Sequence, residues 1–487
     1  MPHNLAKRSI KGFAWAASES IGVAAISFVT FVILARLLEP QDFGVVALAT
    51  VFVFFCNLLT GHTFADAIVQ RRDLDPSHLD TAFWSTLGVA LVLMAGCLAA
   101  ADLAADLLGE PGLADVLKWL SLVIPLSAVS SVQLALFRRD MRFDAIARRT
   151  LAGRGLGAGV GIAMAVAGYG IWSLVAQQLV GQLATTIALM IGPWRPRWRF
   201  SQARFREMWG FGFYVSSAQI VTGAGEQALI LVIGALFGST TLGYFAVAWR
   251  TVQLIKSLVS SAVYHVGLSA FSRLQHDTVA VSGAFLKATR ISCLAGFPVA
   301  IGIALVAEPF ILAAFDAKWH ASVPLLSVLA LELVAASYGM FLSALYRAMN
   351  RPGWSLAMSL VYTLAGLAGV LAAAPYGIQA VVAVWVGRAL LLMPFHVVLV
   401  ARLLSRPVAW VSGPAVAPLV AAACMAAGVA LVHLALPRDL PPLAVLCILG
   451  SMGSAIYVAA IRLLFPGLAD LALRAVSMAA SPSGKPS

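Results

Sequence analysis

The chain is 487 residues long, 61% hydrophobic and only 11% charged, with a mean hydropathy of +0.91. Soluble domains carry about a quarter charged residues, so a chain of this composition has too few polar groups to cover itself in water. The net charge of +12 does not point to nucleic acid, because the basic residues are scattered through short loops and form no aromatic-interleaved face.

The apolar residues fall in runs of about 20, the length at which a helix crosses about 30 Å of hydrocarbon. Lys7, Arg8 and Lys11 precede the first run, as in a signal peptide. The run from Phe13 to Leu38 is too long for such a segment and lacks a convincing cleavage site, so it is expected to stay as the first helix. In chain order the expected spans are 13–36, 43–65, 81–101, 113–137, 150–168, 171–191, 210–236, 243–268, 289–315, 322–347, 353–374, 377–400, 413–435 and 441–465. The fold class is therefore an all-α integral membrane protein of about fourteen transmembrane helices. Joints such as Gly168-Tyr169-Gly170 and Pro375-Tyr376-Gly377 leave room only for tight turns between antiparallel neighbours. Cys56, Cys97, Cys293, Cys424 and Cys447 lie inside apolar runs, with no spacing suited to a disulfide framework or a metal, and read as small packing residues.

Lysine and arginine are retained on the cytoplasmic side of a membrane. Only Arg36, Lys318 and Arg438 fall on one face of the expected topology; Lys118, Arg154, Arg250, Lys256 and Arg388 fall within spans, and the rest of the 33 basic residues share the other face. Both termini are thus expected to be cytoplasmic. The strongest markers of that side are Arg138-Arg139-Asp140-Met141-Arg142 with Arg148-Arg149, and Trp194-Arg195-Pro196-Arg197-Trp198-Arg199. They read as a topology signal with anionic-lipid contact, or as a dedicated partner site.

The sequence repeats itself. Leu37-Leu38-Glu39-Pro40-Gln41-Asp42-Phe43-Gly44 aligns without a gap on Leu236-Phe237-Gly238-Ser239-Thr240-Thr241-Leu242-Gly243; Phe137-Arg138 matches Tyr346-Arg347; Tyr169-Gly170-Ile171 matches Tyr376-Gly377-Ile378. The offsets of 199, 209 and 207 residues are each six helices. Such a repeat predicts two parallel six-helix lobes related by a pseudo-twofold along the membrane normal, with a cavity between them. The lobes are residues 1–192 and 210–400, joined by a cytoplasmic linker at 193–209; helices at 413–465 and a cytoplasmic tail at 466–487 follow.

No Walker loop, HExxH or nucleophile elbow is present, and the longest loops are too short for a catalytic domain of about 50 residues, so no enzyme, cofactor or metal site is expected. Ionisable groups inside spans are costly and mark function by default. In the eighth span Arg250, Gln253, Ser257, Ser260 and Tyr264 recur at helical spacing as one polar stripe, flanked by Lys256. The seventh carries Ser216, Gln219, Gly223 and Glu226, the tenth Glu332, Gly339 and Ser343, the twelfth Arg388 and the first Glu19. Buried ion pairing, for example Glu226 with Arg250, and contact with substrate or ion both remain open. On the second reading Arg250, Lys256 and Arg388, with Gln253, Ser257 and Tyr264, line a cationic cavity for an anionic headgroup, and Glu19, Glu226 or Glu332 takes part in ion coupling. His62, His265 and His396 are placed near helix ends, where interfacial packing and proton coupling are the alternatives.

Ile33-Leu34-Ala35-Arg36-Leu37-Leu38-Glu39-Pro40-Gln41-Asp42-Phe43-Gly44, Ala67-Ile68-Val69-Gln70, and Leu242-Gly243-Tyr244-Phe245 running to Phe271-Ser272-Arg273-Leu274-Gln275 resemble the polysaccharide exporters of the multidrug/oligosaccharidyl-lipid/polysaccharide superfamily, especially the Wzx-type branch that includes the colanic acid exporter. The likeness covers most of residues 1–400. It implies a flippase of a bacterial inner membrane that moves a polyprenyl-pyrophosphate-linked oligosaccharide repeat unit from the cytoplasmic to the periplasmic leaflet by alternating access. It implies as partners the lipid-linked substrate, membrane lipids, and a polysaccharide polymerase or glycosyltransferases, and no nucleic acid. Where these exporters commonly show an Asn and Asp pair in the seventh helix, this chain has Gly225-Glu226-Gln227, with Glu226 the candidate substitute. The rivals are a drug/cation antiporter or peptidoglycan-precursor flippase of the same superfamily, a membrane enzyme of polysaccharide assembly, and a scaffold that transports nothing. The cations within spans argue against a cationic drug, and outer loops of about 3–12 residues against an enzyme.

Overall fold

The computed structural model describes residues 2–61, 68–69, 74–192, 194–271, 278–349, 351–437 and 439–467. Among the described residues the chain runs through fourteen helices: α1 (Pro2–Leu37), α2 (Pro40–Gly61), α3 (Pro76–Leu108), α4 (Gly112–Leu120 and Val123–Arg139), α5 (Phe143–Val166), α6 (Trp172–Met190), α7 (202–237), α8 (239–271), α9 (Thr278–Ala314), α10 (Ser322–Ala330, Glu332–Gly339 and Leu342–Ala348), α11 (Pro352–Ala373), α12 (Ile378–Leu404), α13 (Val408–Ala435) and α14 (Pro442–Leu464). Among the described residues, twelve segments are long and apolar enough to cross a membrane. The stretch 223–260 among them contains parts of both α7 and α8; α5 is not among them, and its first half carries Arg148, Arg149 and Arg154. All-α architecture with fourteen helices is thus what the sequence predicts.

Local chemistry sets the helix ends. Pro76 follows Asp75 at the start of α3, where a missing N–H costs nothing, and Gly109 closes the helix at φ 67°. Pro125 cannot donate to the carbonyl of Ser121, which accepts the Ile124 N–H at 3.0 Å instead, and α4 is interrupted at Ser121-Leu122. In α9 the helical dihedrals lapse at Val306, one turn before Pro309. The expected tight turns are present: Gly168 and Gly170 adopt φ 82° and 53°, and Gly377 adopts φ 91° after the single 3-10 turn Ala374–Tyr376.

The chain divides into two compact units, residues 1–246 and 247–487. In the first, α5 packs on α6 and α1, and α4 on α3 and α6. The α5–α6 contact is built on Gly153, Gly157 and Gly161, one turn apart: a β-carbon on Gly157 would collide with the main chain of Gln177 and Gly181. Small residues at this spacing let backbones approach closely where lipid supplies no hydrophobic drive. In the second unit α9 packs against α13, α14 and the segments of α10. Its core holds Phe285, Phe297, Tyr338 and Tyr346, all nearly inaccessible.

Candidate functional site

The repeated joint comes together in space. Pro40 opens α2 and Ser239 opens α8 after Gly238, whose φ of 78° turns the chain. A β-carbon on Gly44 would overlap the carbonyl of Ser239, and one on Gly243 would overlap the carbonyl of Pro40. Under the sequence alignment Gly44 corresponds to Gly243 and Pro40 to Ser239, so the two contacts are the same contact made in opposite directions. The two helix starts are capped differently. Asp42 accepts the N–H of Glu39 at 3.1 Å within its own turn, whereas the corresponding residue in α8 is Thr241. There a remote carboxylate substitutes: Glu110, in the α3–α4 joint, accepts the N–H of Ser239 at 2.8 Å. A carboxylate at a helix N-terminus satisfies an orphan donor and opposes the positive end of the dipole.

Within the second unit, the polar stripe of α8 lies off the packed side of the helix. Arg250 and Ser257 are exposed and Gln253, Lys256 and Ser260 half-buried, while Thr251 and Val252 are buried. The Ser257 hydroxyl donates to the carbonyl of Leu254 at 2.7 Å. Lys256 Nζ stands 4.0 Å from Glu332 Oε1, joining α8 to α10. Glu332 is buried and opens the second segment of α10, where the helix breaks at Leu331 near its midpoint. A candidate substrate cation and a candidate coupling carboxylate therefore form one pair. Each half shields the other's charge from an apolar surround.

Arg388 is elsewhere in that unit and differently engaged. It is buried, with its guanidinium carbon 3.3 Å from the Trp385 ring centroid and 4.0 Å from that of Tyr362. Its Nη1 donates to the carbonyl of Tyr362 at 2.8 Å and its Nε to that of Trp385 at 3.2 Å. Gly366 leaves the space the guanidinium fills. The side chain ties α11 to α12.

In the first unit Glu19 accepts a hydrogen bond from Thr150 of α5 and lies near Arg138, and Glu226 sits half-buried on α7 beside buried Gly225. The side chains of Ser216, Gln219, Tyr264 and His265 lie outside the described residues, as do His62 and Arg438. His396 of α12 is half-buried, its Nδ1 enclosed without a hydrogen-bond partner. Two cysteines that sequence spacing leaves unrelated meet: Cys56 of α2 and Cys97 of α3 bring their Sγ atoms to 3.5 Å, because antiparallel packing aligns positions 41 residues apart. Cys424 and Cys447, by contrast, are exposed. No group of three or more potential metal ligands occurs among the described residues.

Fourteen helices among the described residues, most of them long and apolar enough to cross a bilayer, define the chain as a multi-pass α-helical membrane protein. It superposes on the lipid II flippase MurJ in an inward closed conformation with a TM-score of 0.78, at 14% identity, over 93% of this chain and 99% of that one. An inward-facing multidrug transporter of the multidrug/oligosaccharidyl-lipid/polysaccharide superfamily matches with a TM-score of 0.55, at 16% identity, over 81% of this chain and 95% of the other. The sequence is more specific: residues 33–324 match the model of the polysaccharide biosynthesis protein family, and the chain belongs to that family. It is 31% identical to a succinoglycan biosynthesis transport protein of Rhizobium meliloti over 67% of its own length and 66% of the relative's, so it spans about two thirds of that relative. It is 23% identical to the lipopolysaccharide biosynthesis protein WzxC of Escherichia coli, over 72% of this chain and 71% of the other.

Proposed function

We propose that the protein is a flippase that carries polyprenyl-pyrophosphate-linked oligosaccharide repeat units from the cytoplasmic to the periplasmic leaflet of a bacterial inner membrane, for surface polysaccharide synthesis, by alternating access. Family membership supports the polysaccharide reading. The observation that carries the mechanism is the Lys256–Glu332 pair beside an accessible polar stripe on a membrane-spanning helix. A charged stripe is too costly to face lipid and therefore lines a watery path. Both termini lie in the cytoplasm on this reading, and the protein performs no covalent chemistry.

In this mechanism Arg250 and Lys256 hold the pyrophosphate, with Gln253, Ser257 and Tyr264 contacting it or the first sugar. Substrate phosphate competes with Glu332 for Lys256, since both offer anionic oxygens to the same ammonium. A cation that neutralises Glu332 releases Lys256 for substrate, which couples cation entry to loading. Arg388 holds α11 and α12 in register behind the path. Glu19 and Glu226 are secondary candidates for cation coupling in the first unit.

Deletion of the gene tests the function directly. Loss of surface polysaccharide, with its lipid-linked repeat unit accumulating on the cytoplasmic face, is the expected result. Unchanged polysaccharide in a strain with no redundant exporter overturns it. Transport into vesicles under imposed proton or sodium gradients then identifies the coupling cation.

A further inference from the structure

The segment between α6 and α7 is a strap fastened to the ends of α3 and α4. Gln133 Nε2 donates to the carbonyl of Trp194 at 2.6 Å, the Arg197 N–H donates to Asp80 Oδ1 at 3.1 Å, and the Ser201 N–H donates to Thr81 Oγ1 at 3.2 Å. Trp84 Nε1 donates to the Arg197 carbonyl at 2.8 Å, and the Trp84 ring stacks on Trp198 at 4.0 Å and 20°. The anchoring groups Asp80, Thr81 and Gln133 are almost wholly buried. The strap's hydrogen bonds to α3 and α4 use its backbone, while among its side chains Trp198 stacks on Trp84, Trp194 packs edge-on against Phe83 and the Arg195 guanidinium donates to the carbonyls of Met190 and Gly192; Arg195, Arg197 and Arg199 remain exposed.

Those side chains alternate. Arg195, Arg197 and Arg199 are exposed at odd positions, while Trp194, Pro196, Trp198 and Phe200 take the even ones. The backbone bends at Trp198, where the Arg199 N–H donates to the Arg197 carbonyl at 2.8 Å. Trp198 is 87% and Phe200 61% exposed, although both are large and apolar. No carboxylate occurs from 193 to 206, and the next, Glu207, is engaged by His78 at 3.8 Å and Arg204 at 3.4 Å. At 33 residues, α3 is about 50 Å long, well beyond the about 30 Å hydrocarbon layer. Its first turns, which carry Asp80, Thr81 and Trp84, therefore reach the headgroup level, and the strap lies there with them.

We propose that the 194–200 strap is a binding site for anionic phospholipid headgroups. Guanidinium groups match phosphate oxygens in pairs, and indole and phenyl rings are at home between headgroups and acyl chains. The strap thereby fixes the end of the first unit at the membrane surface, independently of what the protein carries.

The test uses delipidated full-length protein, titrated with phosphatidylglycerol or phosphatidylcholine and read by native mass spectrometry. Wild type is expected to favour phosphatidylglycerol by about tenfold, and R195Q/R197Q/R199Q to lose that preference. These changes leave the strap's backbone hydrogen bonds to α3 and α4 in place, and a thermal melt checks the fold. Trp198→Ala, at an exposed position, is expected to weaken both lipids while keeping the preference. A control triple, R138Q/R142Q/R148Q, is expected to retain it. A strap triple that binds phosphatidylglycerol like wild type overturns the proposal, as does an equal loss in the control triple. A wild type without preference, together with a strap triple that blocks export in cells, also overturns it and assigns the strap to a protein partner.

Discussion

Gly44 and Gly243 make one contact twice: each lets its helix rest on the first-turn carbonyl of the other, Gly44 on Ser239 and Gly243 on Pro40. The obstacle to a larger residue is main chain rather than a flexible side chain. Gly44→Val and Gly243→Val are each expected to cost about 1–3 kcal/mol of this arrangement and to reduce polysaccharide export strongly. Gly88→Ala, with nothing within 4 Å of an added β-carbon, serves as the neutral control. Export assays on the three variants at matched expression decide the matter. Wild-type export from Gly44→Val would show that the helix ends need not touch.

Lys256 and Glu332 predict a coupled pair of substitutions. Glu332→Gln and Lys256→Met each leave one charge partnerless, whereas the double variant leaves none. The double is expected to be more stable than the sum of the singles by about 1 kcal/mol, the modest figure reflecting the one-third exposure of the lysine side chain. Thermal melts in detergent measure it. Transport is expected to fail in the double all the same, since the phosphate-binding cation is gone.

Arg388 predicts a conservative change that is not conservative. Arg388→Lys loses the stacked plane between Trp385 and Tyr362 and the fork that reaches two carbonyls. A loss of about 2 kcal/mol is expected, seen as a lowered melting temperature, with little further change in substrate affinity once the protein is folded.

Cys56 and Cys97 predict a cross-link without engineering. A membrane-permeant oxidant that accepts two electrons should join the two thiols, releasing two protons and closing a loop between α2 and α3. Faster migration on a non-reducing gel, abolished by Cys56→Ser, is the expected readout. Unchanged migration would mean that these helices do not hold the two sulfurs together.

Gly157 predicts the consequence of overfilling the α5–α6 contact. Gly157→Leu is expected to destabilise the first unit by about 1–3 kcal/mol, while Gly159→Leu, with no neighbour within 4 Å, is expected to be near neutral. Comparative melts of the two variants check it.

Much of the fold was legible in the sequence because the membrane imposes few choices. A run of about 20 apolar residues has to be a helix in lipid, and joints such as Gly168-Tyr169-Gly170 allow only a turn. The stripe of α8 was legible through its 3.6-residue period, since Val252 is buried where Arg250 and Ser257 are exposed. The Gly153, Gly157, Gly161 spacing, small residues one turn apart, is visible in the sequence as a helix-packing signal.

Other relationships had no local signature. Glu110 caps a helix that begins 129 residues later, Cys56 meets Cys97, and Lys256 takes Glu332 as its partner. Nor could spacing tell that Arg388 is buried between two rings while Arg250 is exposed, since each is one cation in an apolar run. Periodicity and composition determined which segments are helices and which of their faces are polar, because those properties depend on neighbours within about a turn. Only the tertiary structure decided which charges pair, because pairing depends on which helices lie side by side.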